Sequence, residues 1–203
     1  MYAKYFKRLF DFVGALLLLP FVVLEIIVLA PLIWFTDKGP IFYNADRLGI
    51  RGTHFKMFKL RSMYVNSEDI RNADGSTFNS YTDPRVTPIG RFMRSTSLDE
   101  FPQFLNVLIG DMSFIGPRPT VGHIDYENST GDKKHRYDVT PGVTGYAQAY
   151  FRNAISQDEK FHWDAYYANN ISLMMDMKIL FKTIKSVICR ENINTEQSLR
   201  GRE

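Results

Sequence analysis

The densest chemistry in this 203-residue chain lies between residues 83 and 119, where two adjacent carboxylates, Asp99 and Glu100, sit among Arg91, Arg94 and Arg118. Ser97 followed by Glu100 is a capping-box pattern, and Pro102 stands where early helical N–H groups have no partners. Phe101, Phe104, Leu105 and Leu108 then recur at helical spacing up to Gly110. The spacing predicts a helix starting near Ser97 with the acidic pair in its first turn. The positive end of the helix dipole favours carboxylates there, and equally favours a phosphoryl group. In isolation, Asp99 and Glu100 have an ordinary explanation as helix caps. Gly116-Pro117-Arg118-Pro119 argues for more. Turn residues on both sides of one arginine preset its backbone, and a guanidinium held that way can grip phosphate through two parallel hydrogen bonds.

The elements that must position these groups are legible on either side. Residues 41–63 alternate aromatic and aliphatic residues with basic ones around Gly49 and Gly52, which reads as a β-hairpin. Period-two alternation puts His54, Lys56 and Phe58 on one face of its second strand and Phe55, Met57 and Lys59 on the other, so Lys59 and Arg61 share a face. That pair is either the protective charge of an edge strand or a cationic wall for phosphates. Residues 65–83 are polar, with turn markers at Asp74-Gly75-Ser76 and Asp83-Pro84, and read as a surface loop without chemistry.

Residues 12–35 form an apolar run of 24 with the single charge of Glu25. As a straight helix it reaches roughly 36 Å, enough to cross a bilayer. The run exceeds the usual core of a secretory signal, and no small-x-small cleavage site follows it. Pro20 lacks the N–H that would bond the Leu16 carbonyl, so a kink or break is expected there. Basic residues flank both ends: Lys4, Lys7 and Arg8 before, and Lys38, Arg47 and Arg51 after. The positive-inside rule assigns both flanks to the cytoplasm, which a re-entrant hairpin satisfies. A kinked single-pass anchor is the competing topology, and Glu25 would be costly at its centre.

Composition narrows the class. The net charge of +3 permits an anionic partner without demanding one, and 45% hydrophobic content suits a globular core. Cys189 stands alone, and His54, His123, His135 and His162 lack zinc-ligand spacing, so neither an internal disulfide nor a structural zinc is expected. Near the C-terminus, residues 173–190 place Leu173, Met177, Leu180, Ile184 and Val187 on one side and Lys178, Lys182 and Lys185 on another. Such a helix either lies on an anionic membrane or packs on the core. Residues 191–203 read as a polar, frayed tail.

Several ordered segments resemble the bacterial sugar transferases, also called monotopic phosphoglycosyl transferases, of which the PglC type is the minimal form. They are Lys7-Arg8-x-x-Asp11, Gly39-Pro40-Ile41-Phe42, Phe58-Lys59-Leu60-Arg61-Ser62-Met63, the stretches 94–103 and 110–119, and Pro141-Gly142-Val143-Thr144-Gly145. The resemblance covers nearly the whole chain. It implies an α+β, mostly helical fold: an N-terminal re-entrant membrane helix broken at Pro20 (1–38), one catalytic domain with a short hairpin and amphipathic membrane-surface helices (39–190), and the tail 191–203.

It also implies a reaction at the cytoplasmic face of the bacterial inner membrane. Asp99 would attack the β-phosphate of a UDP-sugar, expel UMP and hold the phosphosugar until polyprenyl phosphate takes it, with Glu100 assisting and Mg2+ held at Asp99. By position, Lys59, Arg94, Arg118 and Arg152 become candidates for the phosphates, and Asp164 for a supporting polar role. The FRNAIS stretch at 151–156 looks closer to PglC enzymes than to the larger hexose-1-phosphate transferases, which suggests an N-acetylated amino sugar on the donor; nucleic acid is not expected as a partner. The chain departs from the family pattern at Leu19-Pro20, Tyr146 and Thr140, which bear on bend geometry and sugar identity. A different class of answer is a non-catalytic membrane-anchored protein that binds lipid phosphates or acts as a scaffold, with the same anchor and basic patch but no working dyad. Sugar transfer without the phosphate, releasing UDP, is a third, and no convincing Asp-x-Asp motif supports it.

Overall fold

The computed structural model describes residues 2–70, 78, 80, 83–122, 126–152 and 154–189. The polar tail expected at 191–203, and much of the loop at 65–83, lie outside the described residues. The chain is α+β and mostly helical, as expected. After a π-turn at Tyr2–Phe6, α1 runs Lys7–Asp37 and is followed by the strands β1 (Ala45–Leu48) and β2 (His54–Met57). Helices α2 (Pro88–Thr96) and α3 (Gln103–Ile109) come next, then β3 (Ser113–Ile115), β4 (Thr120–Val121) and the short α4 (Asp132–His135). Strand β5 (Gly142–Thr144) and helices α5 (Tyr146–Tyr150), α6 (Gln157–Asn169) and α7 (Leu173–Ile188) complete the described chain.

Helix α1 has 31 residues, and its helical assignment continues through Pro20 and Pro31. The helix-break-helix expected at Pro20 is therefore not present as an interruption. Proline's fixed φ is close to the helical value, and losing one N–H bond leaves the bonds of the neighbouring turns in place. Its buried residues Asp11, Ala15, Val22, Leu29 and Ile33 follow a helical period along one stripe, while Leu17, Phe21, Leu24 and Val28 stand exposed. Both ends of the stripe are fastened to the same domain. Near the start, Arg8 donates to the Val107 and Leu108 carbonyls, and the Phe114 N–H donates to the Asp11 carboxylate at 3.0 Å. At the far end Asp37 receives two hydrogen bonds from the Arg61 guanidinium, at 2.6 and 2.7 Å. Between them Ala15 packs on Met57, Val107 and Met112, and Leu29 and Ile33 pack on Leu60 and Met93.

The hairpin forms as the alternation predicts, with β1 and β2 antiparallel in the register Ala45↔Met57 to Leu48↔His54, and β4 adds to the outer edge of β1. Strands β3 and β5 form a separate parallel pair. That pair and α5–α7 enclose a core of Ile115, Ala149, Tyr167 and Ile179. Helix α7 is tied to the N-terminus through Asp176, whose carboxylate receives Lys7, Tyr2 and Tyr167. Its Ile179 is buried, but Leu173, Met174, Met177, Phe181 and Ile184 stay exposed, leaving an uncovered apolar side.

Candidate active site

Lys59 is delivered by the strand that continues beyond β2. The segment is locked by Asn106 of α3, which is fully buried: its Oδ1 accepts the Phe58 N–H at 2.8 Å, and its Nδ2 donates to the Lys56 carbonyl at 2.8 Å. One side chain thereby completes the backbone bonding on both sides of Met57 and directs the next residues. Helix α2 closes on the same segment. Thr87 caps it by accepting the Gly90 N–H, and the Thr87 N–H reaches the Ser62 carbonyl. A Cβ at position 90 would lie 1.9 Å from that carbonyl oxygen, so only glycine allows the approach.

The acidic pair enters from the turn between α2 and α3, which corrects the expected helix start. Ser97 is in the left-handed region (φ 61°), where it terminates α2 rather than capping a new helix, and its side chain makes no capping bond. Leu98–Glu100 form a single 3-10 turn, and α3 begins only at Gln103. Tertiary contact decides this, because the Asp99 carbonyl accepts the Leu60 N–H at 3.0 Å and the turn is stitched to the strand that carries Lys59. The capping box forms elsewhere, at Ser156 and Glu159 of α6.

These elements bring together Lys59, Asp99, Glu100 and Arg118. The Lys59 ammonium lies 2.8 Å from Asp99 Oδ2 and 3.3 Å from Glu100 Oε1, and Arg118 Nη2 donates to the same Glu100 oxygen at 2.7 Å. Asp99 is 2% exposed, whereas the Arg118 side chain is 46% exposed at the rim. Burial by itself would raise the Glu100 acid, but Arg118 and Lys59 outweigh it and hold the carboxyl far below its usual range. Burial also opposes the charge on Lys59, and the two carboxylates more than compensate. The dyad's two negative charges thus face two positive ones.

Arg94 borders the cluster: its Nε donates to Ser62 Oγ at 2.9 Å, burial pulls its pKa down, and Asp99 is the first charge opposing that. Asp164 does not join the dyad. It is buried against Arg136 at 2.6 Å, and Arg136 in turn donates to the backbone carbonyl of Arg118 at 2.7 Å, so Asp164 supports Arg118 at one remove. Burial raises its acid to about 6 despite Arg136. Arg152 sits in the turn between α5 and α6 with a left-handed backbone (φ 50°), its N–H bonded to the Ala147 carbonyl, and it is not one of the cations paired with the dyad. Arg61, read as a possible phosphate ligand alongside Lys59, is instead consumed by Asp37 and the Pro40 carbonyl. Asn106 and Arg136 are the positioning groups that sequence reasoning missed. An asparagine inside an apolar helical stripe is the signal that points to the first.

Among the described residues, no group of three or more His, Cys, Asp or Glu side chains converges as an all-protein metal cage. Magnesium does not require one: it takes one or two carboxylates, keeps waters and shares substrate phosphates. The buried Asp99 carboxylate, which the Lys59 ammonium approaches to 2.8 Å at Oδ2, has the oxygen chemistry for that role.

The family model "Bacterial sugar transferase" matches residues 2–190. The UDP-galactose-lipid carrier transferase of Erwinia amylovora is 39% identical, across 93% of this chain and 42% of its own length. The undecaprenyl-phosphate galactose phosphotransferase of Salmonella typhimurium is 37% identical, across 93% of this chain and likewise 42% of its own length. The uncharacterized sugar transferase EpsL of Bacillus subtilis is 38% identical, across 92% of this chain and 89% of its own length. The chain thus spans about two fifths of the length of the first two relatives.

Proposed function

This chain belongs to the bacterial sugar transferase family, and on that premise we propose that it transfers a phosphosugar from a UDP-sugar to polyprenyl phosphate at the cytoplasmic face of the inner membrane, releasing UMP. The observation that carries this reading is the charge-balanced cluster of Lys59, Asp99, Glu100 and Arg118 around one buried carboxylate. In the first step an Asp99 oxygen bonds to the β-phosphorus of the donor. The bond from that phosphorus to the bridging oxygen breaks, and UMP leaves with the electron pair. In the second step an oxygen of polyprenyl phosphate attacks the same phosphorus and Asp99 departs as carboxylate. Splitting the transfer this way avoids bringing two phosphate anions together in one step.

Within the cluster, Arg118 can move from Glu100 to the diphosphate because its guanidinium sits at the rim. Lys59, on a flexible stem, follows the charge between Asp99 and the transferred phosphoryl group. Glu100 keeps both cations on the dyad until substrate arrives. Because the resting cluster is already neutral, an incoming diphosphate needs further positive charge. Arg94 supplies part, and Mg2+ bound at Asp99 would neutralise phosphate oxygens. Arg152 is proposed for an acceptor or nucleotide phosphate, and an N-acetylated amino sugar for the donor.

We infer further that α1 is embedded from one side and does not span. A spanning helix would carry its two ends to opposite faces, whereas Asp11 and Asp37 are both fastened to one domain. The exposed apolar side of α1, together with that of α7, would face lipid.

The test is nucleotide release from a panel of UDP-sugars by detergent-solubilised protein with magnesium, with and without undecaprenyl phosphate. UMP that depends on acceptor for turnover, and vanishes in D99N, is the expected result. UDP as product, or full activity in D99N, would overturn the reading.

A further inference from the structure

Glu25 is a carboxyl group in the middle of α1 to which the mechanism above gives no task. It stands three residues after the buried Val22 and four before the buried Leu29, and equally four after the exposed Phe21 and three before the exposed Val28, so it lies at the border between the stripe that packs against the domain and the exposed apolar side. Both of its oxygens are buried, and neither has a hydrogen-bond partner among the described residues. The adjacent Ile26 and Leu29 pack on Leu60, Met93 and Leu98. Leu60 immediately follows Lys59, and Leu98 immediately precedes Asp99, so this part of α1 forms the wall behind the reacting carboxylate.

A buried carboxylate without cation or donor is strongly disfavoured in its charged form. Burial first, and the Asp99 charge second, push the Glu25 acid up from 4.5 to about 7. The nearby cations are already engaged, Lys59 with Asp99 and Glu100, Arg118 with Glu100, and Arg94 with Ser62. As an acid, Glu25 keeps one O–H donor with no acceptor among the described residues. Its charge and that of Asp99 act on one another, and α1 presents apolar residues outward beside it. A lipid phosphate would approach along that apolar surface, and a water-soluble nucleotide by way of the half-exposed Arg118.

We propose that Glu25 is a binding residue for the phosphate of the lipid acceptor, donating its O–H to a phosphate oxygen brought to Asp99 along α1. The proposal rests on the transfer reaction inferred above and adds the residue that distinguishes acceptor from donor. Lys59 and Arg118 serve the donor side of the dyad, Glu25 the acceptor side.

The experiment compares the full chain with E25Q, which retains an N–H donor, and with the apolar variants E25L and E25M. Equilibrium binding of undecaprenyl phosphate in detergent is measured without donor, with undecaprenol as the control lacking phosphate. UMP released in the first turnover, without acceptor, is measured in parallel. Affinity within about threefold of wild type is expected for E25Q, and a loss of about tenfold or more for E25L and E25M, in line with removing one hydrogen bond to a charged group. Undecaprenol should bind all four proteins alike. An apolar variant that melts cooperatively and still binds undecaprenyl phosphate as tightly as wild type would overturn the proposal, as would an E25Q loss equal to that of E25L. If wild type releases no UMP from any donor, the transfer reaction fails while the binding comparison still decides the role of Glu25.

Discussion

At the residue scale the site depends on Glu100 more than its place beside the proposed nucleophile suggests. It is the common acceptor for Lys59 and Arg118, so E100Q removes the anion that holds both cations around Asp99. The expected outcome is a fall in kcat of about 10²- to 10³-fold, the size seen when an electrostatic partner of a reacting group is lost, with UMP release still dependent on Asp99. A turnover assay checks it, and an E100Q variant within threefold of wild type would remove Glu100 from the mechanism. The pH dependence has a definite sign. The folded-state acid of Glu100 is depressed, so the stabilisation from its ion pairs is fully present above its ordinary carboxylate range and is lost progressively as pH falls from that range through the depressed value. Glu100 therefore does not set the acid limb of the rate near neutrality. Asp164 behaves oppositely. Its acid is raised to about 6 by burial, so its contribution to stability falls as pH rises from the usual carboxylate range through that value.

At the element scale, the strand that carries Lys59 and the turn that carries Asp99 are joined by backbone, with Asn106 as the clamp. Replacing Asn106 with alanine leaves the Phe58 N–H and the Lys56 carbonyl without that partner. A loss of about 2 kcal/mol is expected, which for a chain of this size is a fall in melting temperature of about 4 to 8 °C. Catalysis should fall in the folded fraction as well, since Lys59 follows directly on the clamped segment. Thermal denaturation and kcat measured together check both parts, and an unchanged melting temperature would show that Asn106 is not the clamp. The same scale explains why one pattern was read at the wrong place. Ser97 and Glu100 match a capping box as well as Ser156 and Glu159 do, yet only the second forms one. Local spacing cannot register that the Leu60 N–H claims the Asp99 carbonyl and holds the turn in a different conformation.

At the scale of the whole molecule, α1 is a long apolar helix whose two ends are both fastened to the same domain, which we read as a one-sided arrangement. With Cys189 first replaced by serine, single cysteines at Tyr2 and at the exposed Tyr43 should resist a membrane-impermeant thiol reagent applied to intact cells. Both should react once the membrane is permeabilised. Labelling of the Tyr2 position from outside would establish a spanning helix and sink the one-sided arrangement. The exposed apolar sides of α1 and α7 are in keeping with that arrangement, because neither is covered by any described part of the chain.

What the sequence determined by itself was the inventory and its local order: an apolar run fit for lipid, a hairpin set by period-two alternation, an acid pair among arginines, and an arginine pinned between prolines. Local chemistry writes these directly into residue type and spacing. What only the tertiary structure decided was which charges meet. Lys59 and Arg61 share a strand face in the sequence, yet Lys59 reaches Asp99 while Arg61 is taken by Asp37, which lies 24 residues earlier in the chain. Asp164 reaches the site only through Arg136, and Glu25 comes within reach of the Asp99 charge only when α1 lies along the domain. Ion pairs between distant segments depend on how helices and strands pack, and side-chain periodicity carries no record of that packing.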